Sequence, residues 1–164
     1  MQPSHATSPV IPFDQLKQDH WSAQETNNAK AVVAFFQTLM NDHNFDETLQ
    51  IYGGGTYIQH NRAIPPQIAG VVGYIKSLTK QFPDYSYDVK RIIASGDLVV
   101  LHSHVTFQKK HRGNERKGFI ITDTFRVQDG VPCEHWDAMQ AIDLFSRFLM
   151  LLSGGKIAND NPTF

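Results

Sequence analysis

Three ionisable residues, Asp123, His135 and Asp137, stand at alternating positions in two apolar, strand-like segments that flank a turn. Successive strand residues point to opposite sides of a sheet. Before the turn, Phe119, Ile121, Asp123, Phe125 and Val127 therefore share one face. After it, Cys133, His135, Asp137, Met139 and Ala141 share one. Where those faces meet, two carboxylates and an imidazole are set among Phe, Ile and Met. A carboxylate in such surroundings is costly unless paired, and its pKa is displaced. That is how a general acid or base is made.

Whether the faces meet depends on the turn. A two-residue turn on Asp129-Gly130 pairs Gln128 with Val131 and sets Asp123 opposite Trp136. A three-residue loop over 128–130 pairs Val127 with Val131. Asp123 then faces His135, Phe125 faces Cys133 and Ile121 faces Asp137. The second is favoured, because it joins two apolar-lined faces and matches β-branched residues across the turn. Arg126 and Trp136 have the opposite parity. Arg126 is expected to point to solvent and Trp136 to pack on a helix.

His102 and His104 are two apart on another strand-like run and share a face with Leu98, Val100 and Thr106. The other face, Val99, Leu101, Ser103, Val105 and Phe107, is equally apolar, so parity does not say which side holds a pocket. Gly96 to His104 also spells G-x5-H-x-H, the opening of a cupin metal motif. The Glu that should follow is absent, with Gln108, Lys109 and Lys110 in its place. His60, His102 and His104 are a second possible metal set. The leading expectation is that no metal and no cofactor is used. Cys133 is the single cysteine, which excludes an internal disulfide and a Cys-based zinc site. It reads as a small buried residue.

The elements that must position these groups follow from periodicity. At 164 residues with a formal net charge of −1, the chain is one domain without a basic stripe. Nucleic acid is therefore not an expected partner. No apolar run approaches a membrane span, so a membrane is not expected either. The N-terminus lacks the pattern of a secretory signal, and a cytoplasmic location is expected. Residues 1–21 read as an arm, loose or packed on a partner. Ser22 to Glu25 has capping-box spacing and opens a helix with Val32, Phe35, Phe36, Leu39 and Met40 on one stripe. A short helix follows over 44–52, then a short strand over 57–61. A third helix carries Val71, Tyr74, Ile75 and Leu78 and ends before Pro83. The period then becomes two, giving strands over 86–94, 98–108, 117–128 and 131–142. Residues 144–152 form a last short helix or a partner-facing segment, within an extension that runs over 144–164. Helices first and an antiparallel meander after them define an α+β domain over 22–143.

An ordered set of short motifs carries a family resemblance. Tyr57-Ile58-Gln59-His60-Asn61, Gly70, Phe82-Pro83-Asp84, Gly96-Asp97, Asp123-Thr124-Phe125-Arg126, Asp129-Gly130 and Glu134-His135-Trp136-Asp137-x-x-Gln140 resemble SnoaL-like, polyketide-cyclase-related proteins of the nuclear-transport-factor-2-like superfamily. The resemblance covers roughly residues 25–142. It implies a cone-shaped curved sheet wrapped around N-terminal helices, a deep internal pocket and a homodimer. It favours placing His102 and His104 in that pocket, and gives Asp123 the acid/base role of an intramolecular aldol closure. Relatives that hydrolyse limonene epoxide place pocket residues at positions matching His102, His104 and Asp137. The two histidines stand where those hydrolases need Arg and Asp, which opposes epoxide hydrolysis. Arg62 departs from the family, in which Pro is usual there.

The expected function is acid/base catalysis without a cofactor on a small hydrophobic carbonyl or hydroxyl compound: aldol cyclisation, dehydration or isomerisation. Asp123, His104, His102, His135 and Asp137 are the expected catalytic residues. Tyr57, Gln59, His60, Asn61, Phe125 and Met139 are the expected substrate contacts. A non-catalytic ligand-binding or dimerisation module, and a metal enzyme built on a His cluster, are the alternatives.

Overall fold

The structure is a computed structural model that describes residues 8–153 and 157–163. Residues 1–7 of the expected arm, and 154–156 and 164 of the expected extension, lie outside the described residues. The rest of the arm packs on its own domain. A four-residue helix, α1 (Phe13–Leu16), follows Ile11, which is buried. The Ile11 N–H donates to Gln37 Oε1 at 3.0 Å.

The main helix, α2 (Ala23–Phe36), starts at the expected capping box. Ser22 Oγ accepts from the Glu25 N–H at 3.2 Å, and the Glu25 carboxylate accepts from the Ser22 N–H at 2.8 Å. These bonds satisfy two of the N–H groups that any helix start leaves unpaired. The Glu25 carboxylate also accepts from the Gly96 N–H at 3.0 Å, which ties the helix start to a strand turn. α2 passes into a π-helical turn over Gln37–Asn41. The wider turn buries Asn41. Its Oδ1 accepts from the Tyr87 N–H at 2.8 Å, and its Nδ2 donates to the Tyr87 carbonyl at 3.0 Å. The next two helices are α3 (Phe45–Tyr52) and α4 (Gln67–Gln81), with a two-residue strand, β1 (Ile58–Gln59), between them.

The long strands are β2 (Ser86–Ser95), β3 (Leu98–Thr106), β4 (Phe119–Gln128) and β5 (Val131–Ala141), and α5 (Leu144–Ser153) closes the described order. The sheet order is β1-β5-β4-β3-β2. Pairing is antiparallel except between β1 and β5. The sheet is curved and unclosed, and the helices fill its concave side as the pattern predicts. Val99, Leu101, Val105, Ile121 and Phe125 from the sheet, with Phe35, Phe36 and Leu39 from the helices, form its buried core. Phe125 meets both Phe35 and Phe36 edge-on, with ring centroids 6.0 and 5.8 Å apart.

The β4–β5 turn differs from the favoured expectation. Asp129 (φ 51°) and Gly130 (φ 76°) are both left-handed, as a two-residue type I′ turn requires, and Gln128 pairs with Val131. That turn alone would send Asp123 and His135 to opposite faces. A bulge corrects the parity. Val127 pairs with Pro132, but Arg126 pairs with Glu134, so Cys133 is the extra residue. On the other side of β4 the Val127 N–H continues the ladder to β3, donating to the Asp97 carbonyl at 2.8 Å. Beyond the bulge Phe125 faces His135 and Asp123 faces Asp137.

Candidate active site

The bulge brings Asp123, His135 and Asp137 together on the concave face. Asp123 is 2 % exposed and His135 6 %. Asp137 is half-buried, toward the end of β5 where Met139 is exposed. His135 Nε2 lies 3.1 Å from Asp123 Oδ1, and His135 Nδ1 lies 3.1 Å from Gln59 Oε1. Asn61 Nδ2 donates to both Asp137 oxygens, at 2.8 and 2.7 Å.

Two backbone N–H groups decide how these side chains are protonated and turned. The Asn61 N–H donates to Gln59 Oε1 at 2.8 Å, so that atom is an oxygen and an acceptor. His135 Nδ1 must then carry a proton to bond it. His135 Nε2 meets Asp123 Oδ1, and this contact is favourable only with a proton between them. The pair is either a carboxylic acid beside a neutral imidazole or a carboxylate beside an imidazolium. Likewise the Ala63 N–H donates to Asn61 Oδ1 at 2.9 Å, which turns the Asn61 amide nitrogen toward Asp137.

Electrostatics act in the same direction. Burial pushes the Asp123 carboxyl above the ordinary carboxylate range; the His135 hydrogen bond opposes this and the Asp137 charge reinforces it. Among the described residues, the buried atoms Asp123 Oδ2, Gln59 Nε2 and Ser103 Oγ find no hydrogen-bond partner. A native interior rarely leaves such groups unpaired. Burial also raises the phenols of Tyr57 and Tyr87 well above their usual range, with Asp123 and Asp137 adding to the shift. They stay protonated. The Tyr85 hydroxyl donates to the Tyr87 hydroxyl at 3.2 Å. Phe125 forms an apolar wall against His135, with rings 4.6 Å apart.

His102 and His104 are not part of this group. Leu101 is the cross-strand partner of Asp123, and His102 pairs with Thr122. Leu101 and Ser103 therefore share the concave face with Asp123, and the two histidines lie on the convex face. Parity could not separate the faces because both are apolar; the helices settle it by burying Val99, Leu101 and Val105 completely. Arg91 donates to His102 Nδ1 at 3.0 Å, and His104 Nε2 lies 2.7 Å from the Lys117 carbonyl.

The expected three-histidine metal set is not assembled either. His60 stands beside β1, and β5 and β4 separate that strand from β3, a span of roughly 14 Å at ordinary strand spacing. Instead His60 stacks on Trp136 at 4.6 Å and its Nε2 lies 2.8 Å from Glu134. It is thus turned away from the place expected for a substrate contact. Trp136 packs on His60, not on a helix, and Arg126 lies over its other neighbourhood at 5.7 Å. Arg126 pairs with Glu134 at 2.8 Å and Asp97 at 2.6 Å. Of the other expected contacts, Tyr57 and Gln59 are buried within the site, Asn61 orients Asp137, and Met139 lies 41 % exposed at the rim.

One donor atom each from Asp123, His135 and Asp137 lie within 4.8 Å of one another, a spread that a metal ion could bridge. Two surface cavities, of about 490 and 340 Å³, are lined by Asp84, Gln108, Lys109 and Lys110, and by residues of α1, Trp21 and β2. Neither lining includes Asp123, His135 or Asp137. No described helix is long and apolar enough to cross a membrane.

A curved, unclosed sheet holding helices, with a carboxylate–imidazole pair on its concave side, is a cone-shaped α+β fold. A family model, the SnoaL-like domain, matches residues 22–135, and the chain belongs to that family. No curated protein matches it. Solved structures agree on the fold. A Jannaschia sp. CCS1 protein described as a SnoaL-like polyketide cyclase is 19 % identical, with 88 % of this chain and 100 % of that one covered and a TM-score of 0.59. A Kribbella flavida DSM 17836 protein described as a ketosteroid isomerase is 15 % identical, covering 71 % and 80 %, with a TM-score of 0.54. An LEH-like epoxide hydrolase of M. tuberculosis is 21 % identical, covering 79 % and 92 %, with a TM-score of 0.51.

Proposed function

We propose that the protein catalyses proton transfer without a cofactor on a small hydrophobic carbonyl or hydroxyl compound, in an isomerisation, dehydration or aldol cyclisation. The observation that carries this reading is the Asp123–His135–Gln59 chain with Asp123 Oδ2 left open. As a carboxylate beside an imidazolium, Asp123 takes a proton from carbon on Oδ2 and later returns it, so that the pair passes from neutral to singly positive while the substrate is an enolate. Buried phenols are the donors for the developing oxyanion, and Asp137, held by Asn61, accepts from a substrate hydroxyl. Similarity to proteins described as cyclases and an isomerase supports the reaction class.

The test is solvent-deuterium exchange at the α-carbon of a panel of bicyclic ketones, beginning with 2-tetralone, followed by NMR. Catalysed exchange that Asp123→Asn abolishes is the expected result. Equal exchange by that variant and the parent would remove Asp123 from the role, and tight binding without any exchange would favour a non-catalytic binder.

A metal-dependent reading has one observation in its favour, the donor spread at Asp123, His135 and Asp137. An imidazole that donates through Nδ1 to Gln59 offers Nε2 to a metal in the usual way. Elemental mass spectrometry of gently purified protein decides it: about one transition metal per chain, lost together with activity on chelation, would favour it. The proposal also includes a homodimer, supported by the exposed apolar residues Leu144, Phe148, Leu151 and Leu152 on α5. A native mass of two chains is the result expected.

A further inference from the structure

The segment that holds Gln59 and Asn61 has few backbone partners of its own. β1 is only two residues long; it pairs with β5, the His60 N–H donates to the His135 carbonyl at 2.9 Å, and the Ile64 N–H donating to the Asn61 carbonyl at 3.0 Å is a turn within the stretch that follows. What covers its remaining carbonyls comes from the far end of the chain. Asn161 Nδ2 donates to the Gln59 carbonyl at 2.9 Å. Asn159 Nδ2 donates to the Asn61 carbonyl at 3.0 Å and to the Ile64 carbonyl at 2.6 Å. The Ala158 N–H donates to the Arg62 carbonyl at 2.6 Å. The Pro162 carbonyl accepts from His60 Nδ1. Asn159 is itself 7 % exposed, and its Oδ1 accepts from the Asn161 N–H at 3.0 Å, which forces the amide nitrogen toward the segment.

We infer that Asn159 and Asn161 are positioning residues for the acid/base pair, acting through the 59–64 segment. Gln59 Oε1 receives the His135 Nδ1 proton only while Gln59 keeps its place, and Asn61 holds the Asp137 carboxylate under the same condition. The C-terminal strap therefore selects the imidazole form in which Nε2 faces Asp123. The strap lies beyond the stretch that matches the family model, which ends at His135. The inference rests on the proposed role of Asp123 and His135, and its test does not need the substrate.

The experiment is long-range proton–nitrogen NMR of the imidazoles in uniformly labelled full-length protein, with His135 assigned from a His135→Gln variant. The parent is expected to show His135 with its proton on Nδ1 and slow exchange of that proton with water. Asn159→Ala combined with Asn161→Ala is expected to speed that exchange at least tenfold and to mix the two neutral tautomers. Asn159→Asp, which keeps the shape and the Asn161 contact but cannot donate, is expected to do the same. Amide exchange at Val99 and Leu101 is the control, and it should not move, since a merely structural weakening would accelerate those too. An unchanged His135 signal in both variants overturns the strap. A parent whose His135 lacks the Nδ1 proton overturns the acid/base pair itself.

Discussion

The two faces of the sheet treat ionisable groups in opposite ways. On the convex side Asp97, Arg126, Glu134 and His60 form a chain in which each side chain meets a partner of complementary polarity. Burial works to raise the Glu134 carboxyl, but hydrogen bonds from Arg126 and His60 outweigh it and hold it below the ordinary range. On the concave side, the backbone of the same strands brings two carboxylates directly opposite each other with one imidazole between neighbours. Asp123 is pushed the other way, upward, and keeps an oxygen without a partner. Charges that are all answered hold strands together. A buried acid that is not fully answered is the expensive arrangement, and such groups cluster where chemistry is done.

The largest expected effect that would break this contrast is at Asp123. Asp123→Asn should lower turnover by about 10²–10⁴-fold, the ordinary share of a general acid or base. It should not lower stability at neutral pH, because an Asn Nδ2–H can donate to His135 Nε2 as the protonated acid does. Thermal melts at pH 7 check this. The sign of the pH dependence follows. The folded Asp123 holds its proton more tightly than the ordinary value of 3.8, so its contribution to stability is full below that pH and is lost as pH rises through the folded value. Glu134 runs oppositely: its contribution is full above 4.5 and is lost as pH falls through its lowered value. Parent and Glu134→Gln melts compared at pH 3 and 7 should converge at the lower pH.

A smaller effect is expected at Gln59. Gln59→Leu leaves the His135 Nδ1–H buried without an acceptor, costing about 1–3 kcal/mol, and turnover should fall with it. Urea titration separates that loss from the loss of activity. The smallest is at His102. His102→Gln lies on the convex face and should change stability by no more than about 0.5 kcal/mol and turnover not at all. A large loss of turnover there would return the histidine to the site.

Much of this was legible in the sequence. The capping box, the single stripe of α2 and the period-two strands place the helices against a meander without any structure. The face shared by Asp123, Phe125 and Ile121 follows from parity. What parity could not give was the pairing across the turn, because a bulge at Cys133 adds one residue that no local pattern announces. Nor could it choose between the faces of β3, where His102 and Ser103 stand in equally apolar company. The roles of Gln59 and Asn61 depend on which backbone N–H each amide oxygen meets. The strap at Asn159 and Asn161 depends on contacts across about a hundred residues, and an Asn-rich tail carries no periodicity to read.

The central claim is that burial lifts the Asp123 carboxyl above the ordinary carboxylate range while His135 shares a proton with it. Selective ¹³C labelling of aspartate and NMR titration of its side-chain carboxyl carbon tests this without knowledge of the substrate. A midpoint above 3.8 that shifts when His135 is replaced by Gln is the predicted result. A midpoint at or below 3.8 would make Asp123 an ordinary ion-paired carboxylate, and the acid/base account would fail.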